Sequence, residues 1–310
     1  MNVMRGALLA ASQSQWLRER AMRSRPVRRA VSRFMPGESL DDALAAAAVL
    51  RDRGLTTILT QLGENVTESS EAEAVTEHYL QVLERVRGAG LDAEVSVKLT
   101  QLGLDAGREP ACRNLERIAR RAGELGNRVF VDMESSAYTE ATVEIFRRVR
   151  DRHANVGLCL QAYLRRTSAD VDDLLRLGPS IRLVKGAYRE PAEIAFQSRR
   201  EVDRSFLELA ARMLEEPARR AGTRLVLGTH DLGLLDRVQA AAEARGVTRQ
   251  GFEIAMLYGI QREAQERLAR EGSRVRVLIS YGSHWFPWYM RRLAERPGNV
   301  LFVFRNYFGR

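Results

Sequence analysis

The sequence predicts an α/β protein built as a (β/α)8 barrel. Short apolar, β-branched runs recur from about residue 55 onward, a helix-like stretch separates each from the next, and together they span the ~250 residues that such a barrel needs. A doubly wound sheet would also alternate, but it usually has fewer strands, and no G-x-G-x-x-G follows the first run.

The elements follow in order. Residues 1–54 form an N-terminal helical arm, whose last helix, "SLDDALAAAAVLRDRG", has Ser39 or Asp41 as its candidate cap. The barrel domain then occupies 55–310. Its predicted strands are "LTTILTQLG" (55–63), "EVSVKLT" (94–100), "RVFVDME" (128–134), "VGLCLQAYL" (156–164), "IRLVKGAY" (181–188), "RLVLGTH" (224–230), "FEIAMLYG" (252–259) and "VRVLISYG" (275–282). Their apolar character on both alternations is that of strands buried on two faces. Helical segments such as "EAEAVTEHYLQVLERVRGAG" and "TEATVEIFRRVRDR" lie between them, and glycine closes several, as expected after a helix C-terminus. The segment "EPAEIAFQSRREVDRSFLELAARMLEEPARRAG" exceeds one connecting helix, so an extra helix is expected after strand five.

Composition narrows the class. With 310 residues, 45% hydrophobic and 29% charged, the chain reads as globular, and charges interrupt every apolar window before membrane-span length. The N-terminal apolar stretch is too short for a signal peptide. Cys112 and Cys159 support neither a disulfide framework nor a zinc site, so a reducing cytoplasm is the default location, and the four histidines show no metal-ligand spacing. The formal charge is +9, with Arg18, Arg20, Arg23, Arg25, Arg28 and Arg29 crowded into the arm. That charge suits nucleic acid, an anionic membrane surface or simply a solvated basic arm, and no nucleic-acid-binding motif accompanies it to support the first.

Lysine occurs only at Lys98 and Lys185, and both fall at the predicted C-terminal ends of strands, where barrel enzymes place their chemistry. Asp132, Glu134, Gln161, Arg182, Thr229, His230 and Asp231 fall at the same rim. Arg291 and Arg292 follow strand eight on a predicted helix with Tyr289 and Glu295, and paired guanidiniums suit a carboxylate. The residues alone point to a barrel enzyme acting on a small acid. A lyase using Lys98 or Lys185 as a Schiff base, or a noncatalytic basic binding protein, are the rival readings.

The motifs "VSVKLTQLGL" (95–104), "VFVDMESS" (129–136), "LQAYLRRT" (160–167), "RLVKGAY" (182–188), "GTHD" (228–231), "FEIAMLYG" (252–259) and "YMRRLAER" (289–296) occur in the order seen in proline dehydrogenases, which the sequence resembles over nearly all of the chain after the arm. The resemblance implies a distorted (β/α)8 TIM barrel that holds FAD noncovalently and oxidises L-proline to 1-pyrroline-5-carboxylate, by hydride transfer to flavin N5 and onward transfer of electrons to a membrane quinone. It implies catalytic roles for Asp132 and Arg182. Lys98, Arg291 and Arg292 would bind the proline carboxylate end, with Tyr281, Tyr289 and Leu257 packed around its ring. Met133, Gln161, Arg182, Lys185, Gly186, Ala187, Thr229 and His230 would contact FAD, and Glu295, grouped with them, would orient an arginine of the pair. Asp231 departs from the Asn common at that place in the family. The length implies a monofunctional form with a separate pyrroline-5-carboxylate dehydrogenase downstream, and the basic arm would suit a peripheral contact of a cytoplasmic enzyme with the inner face of the cell membrane.

Overall fold

The computed structural model describes residues 31–286 together with Tyr289 and Met290. Eight parallel strands close a barrel in sequence order: β1 (Thr56–Gln61), β2 (Ala93–Val97), β3 (Val129–Val131), β4 (Val156–Gln161), β5 (Ser180–Val184), β6 (Arg224–Gly228), β7 (Glu253–Leu257) and β8 (Arg274–Tyr281). The closing ladder pairs Thr56 with Arg276 through to Gln61 with Tyr281. Around it run α1 (Leu40–Arg51), α2 (Ser69–Gly88), α3 (Arg108–Glu124), α4 (Ser136–Arg150), α5 (Thr167–Leu174), α6 (Arg199–Met213), α7 (Glu216–Arg220), α8 (Leu232–Glu243) and α9 (Arg262–Arg270). The expected extra helix is α7, a short piece started by Pro217 near its N-terminus.

All eight predicted strands are present, but several stop short of their predicted C-terminal ends. The ladder of β3 ends at Val131 and that of β5 at Val184. Beyond those points the chain turns over the barrel mouth, so Asp132–Glu134 and Lys185–Tyr188 belong to loops. Their apolar neighbours extend the strand-like pattern past the last ladder bond.

Capping explains several helix starts. Ser39 caps α1 by accepting from Asp42 N at 3.1 Å, while Asp42 Oδ2 accepts from Ser39 N at 3.1 Å. Ser198 and Glu201 form the same box on α6. Helix α1 buries Ala43, Leu44, Ala47 and Leu50 in the main core. Just before it, Val31 and Met35 are buried, and Glu38 accepts a 2.9 Å hydrogen bond from Trp285 Nε1.

Strand alternation divides the interior into layers. Leu59, Val95, Val97 and Val131 face outward into the helix layer and join the main core. Ile58, Phe130, Val226, Ala255 and Leu278 face inward and make a separate apolar layer across the lumen. Each fully buried large side chain there contributes roughly 1.5–3 kcal/mol. Below it, at the N-terminal ends of the strands, Glu94, Arg224, Glu253 and Arg276 form a buried ionic layer. Above it lies the functional site.

Candidate active site

The C-terminal mouth of the barrel holds a cavity of about 790 Å3, within the range of cofactor and small-molecule sites. Its lining includes Lys98, Asp132, Met133, Gln161, Arg182, Lys185, Gly186, Ala187, Thr229, His230 and Leu257. The structure therefore brings together eleven residues singled out in the sequence, drawn from β2 through β7 and the loops that follow.

Asp132 is the electrostatic centre. Its carboxylate accepts from Lys98 Nζ at 3.2 Å and from Ser96 Oγ at 2.8 Å, and it forms a close ion pair with Arg182 Nη2. Burial pushes its pKa up, but Lys98 and then Arg182 more than offset that, so the group is held below the ordinary carboxylate range as an anion. Burial likewise opposes the charge on Lys98, and Asp132 more than reverses it, leaving the lysine pKa raised. A Schiff-base lysine needs the opposite shift, and Lys98 is a committed cation. Lys185 is occupied too, with ion pairs to Asp203 and, at 2.8 Å, to Asp231 Oδ2.

On the β4 to β6 side the polar groups point differently. Gln161 is buried; its Nε2 donates to Met133 O at 3.2 Å, and its Oε1 has no hydrogen-bond partner among the described residues. Gly186 lines the cavity with φ +116°, and a Cβ there would stand 2.1 Å from Tyr163 Cδ1, so the turn admits only glycine. His230 Nε2 accepts from Leu257 N at 2.9 Å, which puts the ring proton of a neutral imidazole on Nδ1. Asp231 caps α8 and accepts from both Lys185 and Arg199. The Lys185 hydrogen bond outweighs partial burial and holds its carboxyl at about 2.

Tyr281 is corrected by the strand alternation. Ser280 and Leu278 face the lumen and line the cavity, whereas Tyr281 points outward, 1% exposed, and shares a 2.8 Å hydrogen bond with His78 Nε2 from α2. Tyr289 is buried against Phe34 and Trp285, each ring centroid 6.2 Å away, and is not among the residues that line the cavity. Arg291, Arg292 and Glu295 lie outside the described residues. Glu134 is buried behind the rim, accepting from Thr100 N at 3.2 Å and Thr100 Oγ1 at 2.6 Å; burial outweighs those hydrogen bonds and raises its pKa to about 7.

Sequence reasoning missed Ser96, Cys159, Leu278, Ser280 and Gln261. Ser96 stands two residues before Lys98, and Cys159 two before Gln161. Counting back by two along each strand from the rim residues would have found both. Gln261 carries no such signal; its left-handed φ of 57° at the N-cap of α9 turns it into the cavity.

A family model described as proline dehydrogenase matches residues 43–305. The chain belongs to the proline dehydrogenase family. It is 33% identical over 303 residues to proline dehydrogenase 2 of Bacillus subtilis (strain 168), covering 98% of both chains. It is 36% identical over 276 residues to the proline dehydrogenase of Deinococcus radiodurans, covering 87% of each. Among solved structures, proline utilization A from Bdellovibrio bacteriovorus, inactivated by N-propargylglycine, superposes with a TM-score of 0.81 at 23% identity; the match covers 91% of this chain and 34% of that one. That likeness bears on the fold. The enzyme is a proline dehydrogenase, and its reaction is the oxidation of proline in proline catabolism.

Proposed function

We propose that the enzyme oxidises L-proline to 1-pyrroline-5-carboxylate with noncovalently bound FAD in the barrel mouth. The observation that carries this reading is the split character of the cavity. One side is anchored by the Lys98–Asp132–Arg182 ion-pair chain. The other offers the unpaired amide oxygen of Gln161 beside Lys185 and the glycine turn at Gly186.

The residues present fit a flavin. A buried amide oxygen without a partner requires an N–H or O–H donor from whatever fills the cavity. The dinucleotide's phosphates call for cationic donors, and Lys185 and the exposed Arg199 stand at the rim, where phosphate would share them with Asp203 and Asp231. Met133, Gly186, Ala187, Thr229 and His230 line the same volume as those groups. When bound, the flavin supplies at N5 the acceptor for the hydride that leaves the ring carbon beside nitrogen.

The protein's own work is to bind, orient and hold charge. Lys98, kept protonated by Asp132, attracts the substrate carboxylate, and Arg291 and Arg292 complete that anion site. Leu257 and Leu278 give the substrate ring an apolar wall and keep water from it. Arg182 places a permanent positive charge at the junction of the two halves, where it favours the more anionic reduced cofactor. Electrons then leave to a membrane quinone, with the basic N-terminal residues contacting anionic lipid at the inner face of the membrane, and a separate pyrroline-5-carboxylate dehydrogenase takes the product. No helix among the described residues is long and apolar enough to cross a membrane.

Acid denaturation of the purified protein tests the cofactor. FAD should be released in about one equivalent, and Gln161→Ala should weaken its retention by roughly 1–3 kcal/mol, the range for a hydrogen bond to a buried group. A protein that takes up no flavin overturns this reading.

A further inference from the structure

Phe130 is fully buried in the lumen, two residues before Asp132 on the same inward alternation. Its partner across the ladder is Gly157, and a Cβ at that glycine would stand 2.7 Å from Phe130 Cε1. Gly157 is therefore the notch in which the aromatic ring lies. The Arg182 guanidinium carbon sits 4.9 Å from the ring centroid, and that of Arg224, from the ionic layer below, sits 5.7 Å away. Both fall within the distance at which a ring face attracts a cation.

Arg182 has a particular need for that support. Its hydrogen bonds to Ser96 Oγ and Asp132 both leave from Nη2, and a further side-chain hydrogen bond joins it to Cys159. Those hydrogen bonds act at the edge of the guanidinium, and the ring of Phe130, 4.9 Å from its central carbon, is the contact that backs it from the floor of the site. We propose that Phe130, seated in the notch at Gly157, is a positioning residue for Arg182 and so fixes the positive charge that the barrel presents to the flavin. The inference rests on the functional reading of Arg182 above, and goes beyond it by placing the control of that charge in an apolar pair at the floor of the site.

The test uses the full chain carrying its flavin. Phe130→Leu keeps an apolar side chain but removes the ring face, while Gly157→Ala keeps the ring and pushes it out of its notch. Both should lower kcat for L-proline about tenfold and leave KM within about twofold, because the substrate-binding groups are untouched. Both should also make the flavin midpoint potential more negative by about 30 mV, equivalent to a tenfold change for a two-electron couple. A role in packing alone would lower the melting temperature without moving the potential. Wild-type kcat and potential in folded, flavin-loaded variants would overturn the inference alone, and Gly157→Ala decides it if Phe130→Leu fails to fold. Wild-type protein without flavin would overturn the reading of the site and the inference with it.

Discussion

Replacing Asp132 with Ala should cost the fold about 3–5 kcal/mol and reduce turnover by two to three orders of magnitude. The reason is that one carboxylate is the shared counter-ion of two cations, Lys98 and Arg182, whose side chains are 13% and 3% exposed. Without it they face each other uncompensated. With its strongest opposing charge gone, burial weighs more heavily on Lys98 and its pKa should fall, although Glu64 still holds part of it up. Asp132→Asn keeps an oxygen for Ser96 Oγ and should lose less stability than Asp132→Ala, with a comparable loss of turnover. Denaturant melts together with steady-state rates at saturating proline check both arms. A stable Asp132→Ala variant would mean that the ion-pair chain is not what holds the mouth in shape.

Glu253→Gln should have the second largest effect, and it should be visible in stability with the folded fraction keeping its turnover. Glu253 accepts from Arg224 Nε at 2.9 Å and Nη2 at 2.7 Å, and from Arg276 Nε at 2.6 Å, inside the base of the barrel. Burial raises its pKa, but the two arginines more than offset this and hold it at about 2. A carboxyl depressed in the folded state contributes stability that is present above its unfolded value, near 4.5, and is lost as pH falls toward 2. That contribution is about 3 kcal/mol at neutral pH. Glu253→Gln should therefore be less stable than wild type by roughly 2–4 kcal/mol at pH 7, with the gap closing between pH 4.5 and 2. Urea melts across that range measure it. A gap that stays constant with pH would show that packing, not charge, accounts for the loss.

The barrel was legible because strands buried on both faces produce short apolar runs, and eight of them alternate with helix-like stretches over the length that a barrel needs. The rim chemistry was legible for a related reason: Lys98, Asp132, Gln161 and Arg182 interrupt or end such runs, where an ionisable group is costly without partners. Tyr281 was misplaced because its position at the end of β8 was used without its parity; Leu278 and Ser280 carry the lumen-facing phase. The ionic layer was illegible for a different reason. Glu94, Arg224, Glu253 and Arg276 look like ordinary strand-end charges, and only barrel closure, which sets β8 beside β1, gathers them inside. Phe130 and Gly157 share that limit, since each is unremarkable alone and their fit exists only across the ladder.

The central claim is that the barrel mouth joins proline to a flavin. Anaerobic titration of the purified protein with L-proline, followed by visible absorbance, tests it most directly. The account predicts flavin bands near roughly 380 and 450 nm that bleach as proline is added, with 1-pyrroline-5-carboxylate formed in equal amount. Flavin bands that proline leaves unchanged, under conditions where the protein is folded, would contradict it.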